Sequence, residues 1–294
     1  MSKKYKIGIV GAGFVGSACE IGFSSLPNTE VFVHDKFKPS ESLDTVVENA
    51  NIIFVCVPTP MTEDGSCDTS VVEETVLNIA AKAKKQKTIV IKSTVVPGTT
   101  QRLHQMLGSR HCVMFNPEFL TEANFIHDFI HQDRIILGVP SINNAQQVSD
   151  ELLLFYDHFI AHQPAGKAKM RCVEANVAEM VKYATNCFLA TKVIFFNEIY
   201  QICQAANIKY DQVAALAKLD PRIGTSHMQV PCGGDFGFSK SCFPKDLNAL
   251  TAFSHELGVD PLVLETVWSK NLMVRQNHDW NGLPQVTGQY KKDI

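Results

Sequence analysis

The residues best suited to covalent chemistry lie late in the chain, around Cys242. Lys245 and Asp246 follow this cysteine within four residues, and a glycine-bearing loop over 233–240 precedes it. A cysteine acts as a nucleophile in its thiolate form, and a neighbouring cation such as Lys245 would lower the pKa of the thiol. The sequence therefore offers Cys242 as a candidate nucleophile. Taken alone, a cysteine is more often a small buried hydrophobic side chain.

A second pair of candidates lies on a segment that predicts a long helix. From about Val173 to Asn207 the chain has neither proline nor glycine, and apolar residues recur with helical spacing. Lys182 and Asn186 are four residues apart, so they would share one face of that helix. The ordinary interpretation of such a pair is a solvated lysine and a surface amide. Because a helix of this length would expose much apolar surface, we expect a homodimer built along it.

The N-terminal part of the chain has the pattern of a dinucleotide-binding unit. A short apolar run breaks at a GxGxxG motif and continues into a helical pattern, and a second strand-like run ends at Asp35, 19 residues past Gly16. In such units the glycines allow close approach to a pyrophosphate, and the acid accepts from a ribose 2′-hydroxyl. An acid here favours NAD over NADP, although Lys36 beside it leaves NADP open. The cofactor-binding residues expected from this pattern are Gly11, Gly13, Phe14, Val15, Gly16, Asp35 and Lys36.

Alternating strand and helix patterns continue beyond the glycine motif. Strands are expected at 6–10, 30–34, 52–57, 88–91, 111–115 and 134–139. This alternation predicts an α/β fold with a Rossmann-type doubly wound parallel sheet, whose ligands lie at the carboxyl ends of the strands. Three polar segments, at 58–60, 93–94 and 116–118, fall at such ends.

The later part of the chain predicts helices. Besides the long helix, helical patterns lie near Tyr210–Lys218, Asp246–Leu257 and Pro261–Gln276. We therefore expect an NAD-binding Rossmann domain over 1–165. A mostly α-helical substrate and dimerisation domain, with a long central helix, is expected over 166–294.

Composition excludes several classes of function. The chain has 294 residues, a net charge of −3 and nine cysteines, which gives no electrostatic basis for binding nucleic acid. No run of 18 apolar residues predicts a membrane span. The cysteines form no CxxC pair and no signal peptide is visible, so we expect reduced thiols in the cytoplasm. His158 and His162 could hold a metal ion, but without an HExxH pattern we expect no metal site.

Taken together, the motifs resemble those of the UDP-glucose/GDP-mannose dehydrogenases, which oxidise a nucleotide sugar at C6 to a uronate. The resemblance covers about the first 275 residues in unbroken order. It is closest to the UDP-glucose 6-dehydrogenase branch. The segments that carry it are 11–16, 55–60, 93–98, 117–120, 182–186, 220–224 and 241–246.

The resemblance implies a four-electron oxidation with NAD as the cofactor. A first hydride transfer would give an aldehyde, Cys242 would add to it, and a second transfer would leave a thioester. Lys182 and Asn186 would stabilise the oxyanions formed on the way. Glu118 would act as the general base for hydrolysis, with Asp246 and Thr94 orienting the water.

The resemblance also implies binding positions. Arg222 is expected to reach the sugar nucleotide of a second subunit. Further cofactor contacts are expected at Val57, Pro58, Thr59, Thr94 and Glu122. The substrate, with UDP-glucose favoured, is expected to meet Phe119, Leu120, Glu122, Lys182, Asn186, Arg222, His227, Phe236 and Gly237.

Two departures from the family pattern leave other functions open. Ser239 and Lys240 stand where the family usually has two glycines. Most members also carry about a hundred further residues, a length typical of one domain, which cover the UDP. A two-electron 3-hydroxyacid-type dehydrogenase would also suit Lys182 and Asn186, but it would leave Cys242 and Glu118 without a role. A non-catalytic nucleotide-binding remnant is the third possibility.

Overall fold

The computed structural model of the protein describes residues 3–142, 145–146, 148–164 and 168–289. The chain forms two compact units: the first comprises the described residues of 1–59 and 68–182, and the second comprises 60–67 and 183–289. The expected domain boundary at 165/166 lies outside the described residues, so those domain limits stay a prediction.

The first unit is built on a seven-stranded sheet. Its strands are β1 (Tyr5–Val10), β2 (Thr29–His34), β3 (Ile52–Val55), β4 (Thr88–Ile91), β5 (Cys112–Phe115), β6 (Arg134–Val139) and β9 (Lys169–Glu174). The strand order is β2-β1-β3-β4-β5-β6-β9. Pairing is parallel except between β5 and β6, which are joined antiparallel through Phe115 and Gly138. A separate two-stranded ribbon pairs β7 (Ser141–Ile142) with β8 (Ala145–Gln146).

Helices cover both faces of this sheet, because its central strands are apolar on both sides. All four residues of β3 and of β4 are buried. Phe23, Phe54 and Phe155 pack on one face, with ring centroids 4.9–6.3 Å apart. The helices of this unit are α1 (Phe14–Ser24), α2 (Leu43–Asn49), α3 (Ser70–Lys82), α4 (Thr99–Leu107), α5 (Phe125–Ile130) and α6 (Asp150–His162). The predicted doubly wound α/β fold is confirmed.

Strand β9 was not predicted from the sequence. It pairs in parallel with β6 at the edge of the sheet, and none of its residues is buried. An edge strand needs no continuous apolar run, and its sequence, Lys-Met-Arg-Cys-Val-Glu, has none.

The second unit is helical, as predicted. Its helices are the later part of α7 (Ala175–Ala205), then α8 (Tyr210–Ala217), α9 (Cys242–Glu256), α10 (Leu262–Val274) and α11 (Pro284–Thr287). Leu247 of α9 and Val267 of α10 pack against Cys187, Ala190 and Ile194 of α7.

Helix α9 begins four residues earlier than the predicted Asp246, at Cys242. Pro244 does not prevent this, because the first N–H groups of a helix have no partner within it. Cys242 is therefore the first helical residue rather than part of the preceding loop.

Candidate active site

The glycine turn between β1 and α1 fits a dinucleotide. A Cβ on Gly16 would lie 1.8 Å from the Gly11 carbonyl oxygen, and one on Gly11, whose φ is +96°, would lie 2.6 Å from the Cys56 carbonyl oxygen. By contrast, apart from Gly13 itself and its neighbours along the chain, no described residue comes within 4 Å of a Cβ built on Gly13. The turn is thus closely packed at Gly11 and Gly16, whereas the space beside Gly13 is open. This open space lies at the N-terminus of α1, where the binding of a pyrophosphate is favoured.

Asp35 ties this turn to the loop after β2. Its Oδ2 accepts a hydrogen bond from the Ala12 N–H at 2.6 Å, and its Oδ1 accepts from the N–H groups of Phe37 at 2.8 Å and Lys38 at 3.1 Å. The Lys38 ammonium donates to the Ala12 carbonyl oxygen. A carboxylate has lone pairs for a further donor, so Asp35 can also accept from a ribose hydroxyl. Lys36 is exposed.

The remaining predicted cofactor residues lie around neighbouring strand ends. The Ser93 hydroxyl donates to the Val57 carbonyl oxygen at 2.6 Å, which joins the loops after β3 and β4. Thr59 and Thr94 are buried. Phe14 is exposed and contacts the Phe125 ring at 5.5 Å. Val15 and Pro58 are half-buried.

Glu118 and Lys182 form a buried ion pair in the first unit. The Lys182 Nζ donates to Glu118 Oε1 at 2.8 Å and to the Glu118 carbonyl oxygen at 2.7 Å. The other carboxylate oxygen, Oε2, accepts from the Leu120 N–H at 2.7 Å. The Phe119 ring lies 5.6 Å from Lys182 Nζ and 4.2 Å from the Arg134 guanidinium. The structure therefore brings four predicted residues together, Glu118, Phe119, Leu120 and Lys182, while Glu122 is half-buried nearby in sequence.

Asn186, Lys245 and Asp246 form a second buried cluster, within the second unit. Asp246 is 1% exposed. Its Oδ2 accepts from the Asn186 amide at 2.6 Å and its Oδ1 accepts from Lys245 Nζ at 2.5 Å. Burial alone would lower the pKa of Lys245, but the Asp246 carboxylate, together with the Cys67 and Cys242 thiols, raises that pKa above its ordinary value. Lys245 therefore carries a positive charge at neutral pH.

Cys242 lies at the N-terminus of α9 and is half-buried. Its sulfur is 3.8 Å from the Ser241 hydroxyl. A helix N-terminus and a nearby protonated lysine are both features that stabilise a thiolate. The structure thus gives Cys242 the surroundings of a reactive cysteine rather than those of a buried hydrophobic one.

The predicted substrate residues Arg222, His227, Phe236 and Gly237 also belong to the second unit. The Arg222 side chain is 88% exposed and pairs with Asp220 at 2.6 Å. The His227 ring lies 5.6 Å from the Phe243 ring, and its pKa is lowered by burial and then by the charge of Lys192.

The two remaining predicted substrate residues, Phe236 and Gly237, have backbones that pack against or hydrogen-bond to neighbouring side chains. Gly237 has φ +66°, and a Cβ there would lie 2.2 Å from the Asn271 Oδ1. The Phe236 carbonyl oxygen accepts from Arg275 at 3.0 Å.

Sequence reasoning missed three buried polar residues that support these positions. Lys192 donates to the carbonyl oxygens of Ile223 and Gly224 at 2.9 and 3.3 Å, beside Arg222. Lys92 donates to the Asn116 Oδ1 at 2.7 Å. Glu179 lies three residues before Lys182, and that helical spacing is the signal that could have revealed it.

Lys240 adopts a backbone conformation that favours glycine. Its φ is +64°, and for a residue with a Cβ this region costs roughly 1–2 kcal/mol. We therefore expect Lys240→Gly to increase the free energy of unfolding by about 1 kcal/mol, as measured by urea denaturation.

Ser239→Gly is the matched control for that prediction. Ser239 is not among the residues with positive φ, so the added chain freedom should destabilise the protein by about 0.5–1 kcal/mol. A loss of stability in both variants would contradict the proposed strain at Lys240.

Neither a metal cluster nor a membrane span is found in the part of the chain that the structure describes. No three His, Cys, Asp or Glu side chains there are grouped to hold a metal ion. Within the same residues, every helix is too short or too polar to cross a bilayer.

Comparison with known protein families gives two matches, both to domains of one family. Residues 29–160 match the NAD binding domain of the UDP-glucose/GDP-mannose dehydrogenase family, and residues 176–272 match its central domain. The chain belongs to this family. The match of residues 29–160 to the NAD binding domain of this family confirms the expected cofactor, NAD.

The named relatives are longer than the part of them that this chain matches. A putative UDP-glucose 6-dehydrogenase of Bacillus subtilis (strain 168) is 30% identical over 301 residues, covering 89% of this chain and 66% of the relative. The UDP-glucose 6-dehydrogenase of Rickettsia bellii is 32% identical over 246 residues, covering 83% and 54%. A UDP-glucose dehydrogenase structure from Pyrobaculum islandicum is 27% identical with a TM-score of 0.80, covering 92% and 69%. The chain spans about half to two thirds of the length of these curated relatives.

Proposed function

We propose that the chain is an NAD-dependent oxidoreductase that oxidises a nucleotide sugar twice at C6, converting UDP-glucose to UDP-glucuronate. Family membership and the names of the relatives support the substrate class. The observation that carries the proposal is the position of Cys242 at a helix N-terminus, within electrostatic reach of the buried Lys245. A two-electron alcohol dehydrogenase has no use for such a thiol.

In this proposal Cys242 holds the sugar between two oxidations. Bound NAD+ would accept one hydride in each of them. After the first oxidation, the Cys242 sulfur would add to the aldehyde carbon and give a thiohemiacetal. The second oxidation would leave a thioester, and water would cleave its C–S bond to release the carboxylate and restore the thiol.

The polar groups of both clusters have roles in these steps. Lys182 and Asn186, one turn apart on α7, would donate hydrogen bonds to the oxygen on the reacting carbon. An amide has two N–H donors, so Asn186 can bind Asp246 and still donate to substrate. Glu118 would take a proton from the attacking water, with Thr94 and Asp246 orienting that water.

The stoichiometry of NADH tests the proposed function. A four-electron oxidation releases about two NADH per sugar nucleotide consumed, whereas a 3-hydroxyacid-type dehydrogenase releases about one and a binding remnant releases none. The measurement should be made with UDP-glucose, GDP-mannose and UDP-N-acetylmannosamine as alternative substrates. One NADH per molecule, or none with every sugar nucleotide, would contradict the proposal.

Asp35→Ala should weaken NAD+ binding. It removes an acceptor for the ribose and also the tie to Ala12, and a hydrogen bond to a charged group contributes about 1.5–3 kcal/mol. Isothermal titration calorimetry should therefore show Kd increased about 10–100-fold. Lys36→Ala, at the exposed neighbour, should change Kd by less than about threefold. If the unmodified protein bound NADP+ as tightly as NAD+, the role assigned to Asp35 would be wrong.

We also propose that the protein is a homodimer and acts in the cytoplasm. Phe188, Phe195 and Ile202 recur every seven residues on α7 and are 63%, 56% and 55% exposed, which leaves an apolar stripe on this helix. All nine cysteines lie among the described residues and no disulfide joins any two of them, which supports a reducing compartment.

Phe195→Glu should convert the dimer to a monomer. A charge in the centre of the apolar stripe would be buried without a partner, which strongly opposes association. Sedimentation velocity at micromolar concentration measures the change, with Gln204→Glu, an exposed polar position on the same helix, as the control.

Mixing Arg222→Ala with Cys242→Ala protein should restore some activity through hybrid dimers. A monomeric unmodified protein would exclude this assembly.

A further inference from the structure

Glu179 is a buried carboxylate that caps a helix other than its own. It is 0% exposed and lies on the part of α7 that belongs to the first unit. Its Oε2 accepts from the Gly98 N–H at 2.6 Å and its Oε1 accepts from the Thr100 N–H at 2.8 Å. Such N–H groups at a helix start have no partner within the helix, and the N-cap of α4, Gly98, has no side chain to accept from them.

The loop that Glu179 holds carries Thr94. This loop runs from the end of β4 at Ile91 to the start of α4 at Thr99. Near its beginning it is fixed by the Ser93 hydroxyl, which donates to the Val57 carbonyl oxygen. Near its end it is fixed by Glu179, so Thr94 lies in a segment anchored on both sides.

Lys182 lies three residues after Glu179, on the next turn of α7. Residues three apart lie on one face of a helix, and Lys182 in turn holds Glu118 through two hydrogen bonds. We propose that Glu179 is a positioning residue, which fixes the Thr94 loop to the α7 turn so that Thr94, Lys182 and Glu118 keep one arrangement during the reaction. This inference rests on the proposed function.

The chemistry of the carboxylate argues against a role in stability alone. Burial raises the pKa of Glu179 to about 7, outweighing the hydrogen bonds from Thr100 and Gly98 that lower it. Its hydrogen bonds thus do not fully offset its burial, so the ionised side chain lowers the stability of the folded state as the pH rises above the unfolded pKa. A stabilising cap would lose stability when replaced, whereas a positioning group would lose activity.

Glu179→Gln separates these two roles. The amide keeps the size of the side chain but has one acceptor oxygen, so one of the two backbone N–H groups loses its partner. We expect kcat with UDP-glucose to fall at least about tenfold, because small misplacements of reacting groups are costly. KM for NAD+ should change less than kcat does, and Tm should fall no more than it does on loss of an ordinary helix cap. Amide hydrogen exchange over 94–100 should become faster. Glu179→Asp, whose carboxylate is one methylene shorter, should show the same direction of change.

Ser149→Ala is the matched control, because Ser149 caps α6 in the same unit by accepting from the Leu152 N–H. This variant should lower Tm, as loss of a cap does, and change kcat less than about twofold. A Glu179→Gln variant with unchanged kcat, or with losses of Tm and kcat that parallel those of Ser149→Ala, would overturn the positioning role. If the unmodified protein oxidises no sugar nucleotide, the proposed function fails. In that case faster exchange over 94–100 still supports the anchoring, and unchanged exchange refutes it.

Discussion

Glu118→Gln should give a protein that reacts once and then stops. Without the base that activates water, the thioester on Cys242 should form and persist. After rapid mixing with UDP-glucose and NAD+, absorbance should show a burst of about two NADH per active site followed by a stall. Intact-protein mass spectrometry should find the glucuronyl adduct on Cys242. The substitution is nearly isosteric, but the amide has one acceptor oxygen, so the side chain can accept from Lys182 or from Leu120 and not from both.

Cysteine variants control for this result. Cys242→Ala should abolish both turnover and adduct while NAD+ binding persists. Cys242→Ser should also turn over very slowly, because an ester on serine is a poorer intermediate than a thioester. Cys232→Ala, at an exposed cysteine of the same unit, should retain activity. Rapid turnover by Cys242→Ala would exclude the covalent route.

Asp246→Ala should cause a large loss of stability as well as of activity. The substitution leaves Lys245 buried without its carboxylate and removes the acceptor of Asn186. Breaking a buried ion pair in this way typically costs 3–5 kcal/mol, so we expect a loss of about 4 kcal/mol in urea denaturation. The exposed pair of Asp44 with Lys82 offers a control, since Asp44→Ala should cost less than about 1 kcal/mol.

The pH dependence of that loss follows from Lys245. Its folded pKa is raised by Asp246, and such a group contributes its full stability below the unfolded value of about 10.4. The contribution is lost only as the pH rises through the higher folded pKa. In Asp246→Ala, burial alone would lower the pKa of Lys245, so the penalty should be smaller at pH 9 than at pH 6, because the buried lysine can then lose its proton.

A double substitution distinguishes the charge from the packing. Lys245→Met with Asp246→Leu should recover much of the stability, because apolar side chains can replace a buried pair, but it should not recover activity. An Asp246→Ala protein as stable as the unmodified one would show that the pair is solvated rather than buried.

Much of the fold followed from local pattern. The predicted strands at Thr88–Ile91 and Arg134–Val139 coincide with β4 and β6, because a strand covered on both faces is mostly apolar. The edge strand β9 has no such requirement, and its pattern was not visible. Nor does local sequence specify that β6 meets β5 antiparallel, since that depends on the path of the chain between them.

The sequence suggests candidate site residues where a single residue type at one position of a motif has a specific chemical role. Cys242 and Asp35 stand out because thiols and strand-end acids have few alternative roles in such a motif. Lys192 and Glu179 were missed because their partners are backbone groups far along the chain: Lys192 reaches Ile223 and Gly224, and Glu179 reaches Gly98 and Thr100. The peptide groups that a charged side chain binds cannot be read from motif spacing, although the three-residue spacing of Glu179 from Lys182 places both on one face of α7.

The assignment of residues 60–67 to the second unit has a consequence for how such proteins can be recombined. This segment leaves the first unit at residue 59 and returns at residue 68. Within the second unit the Met61 N–H donates to the Val286 carbonyl oxygen at 2.8 Å, and Gly65 packs against Asn248. A single crossover between two homologous genes, placed at the start of α7, would therefore pair the 60–67 segment of one parent with an α9 from the other. Chimeras that exchange the helical unit should express well only when they carry that short segment with it.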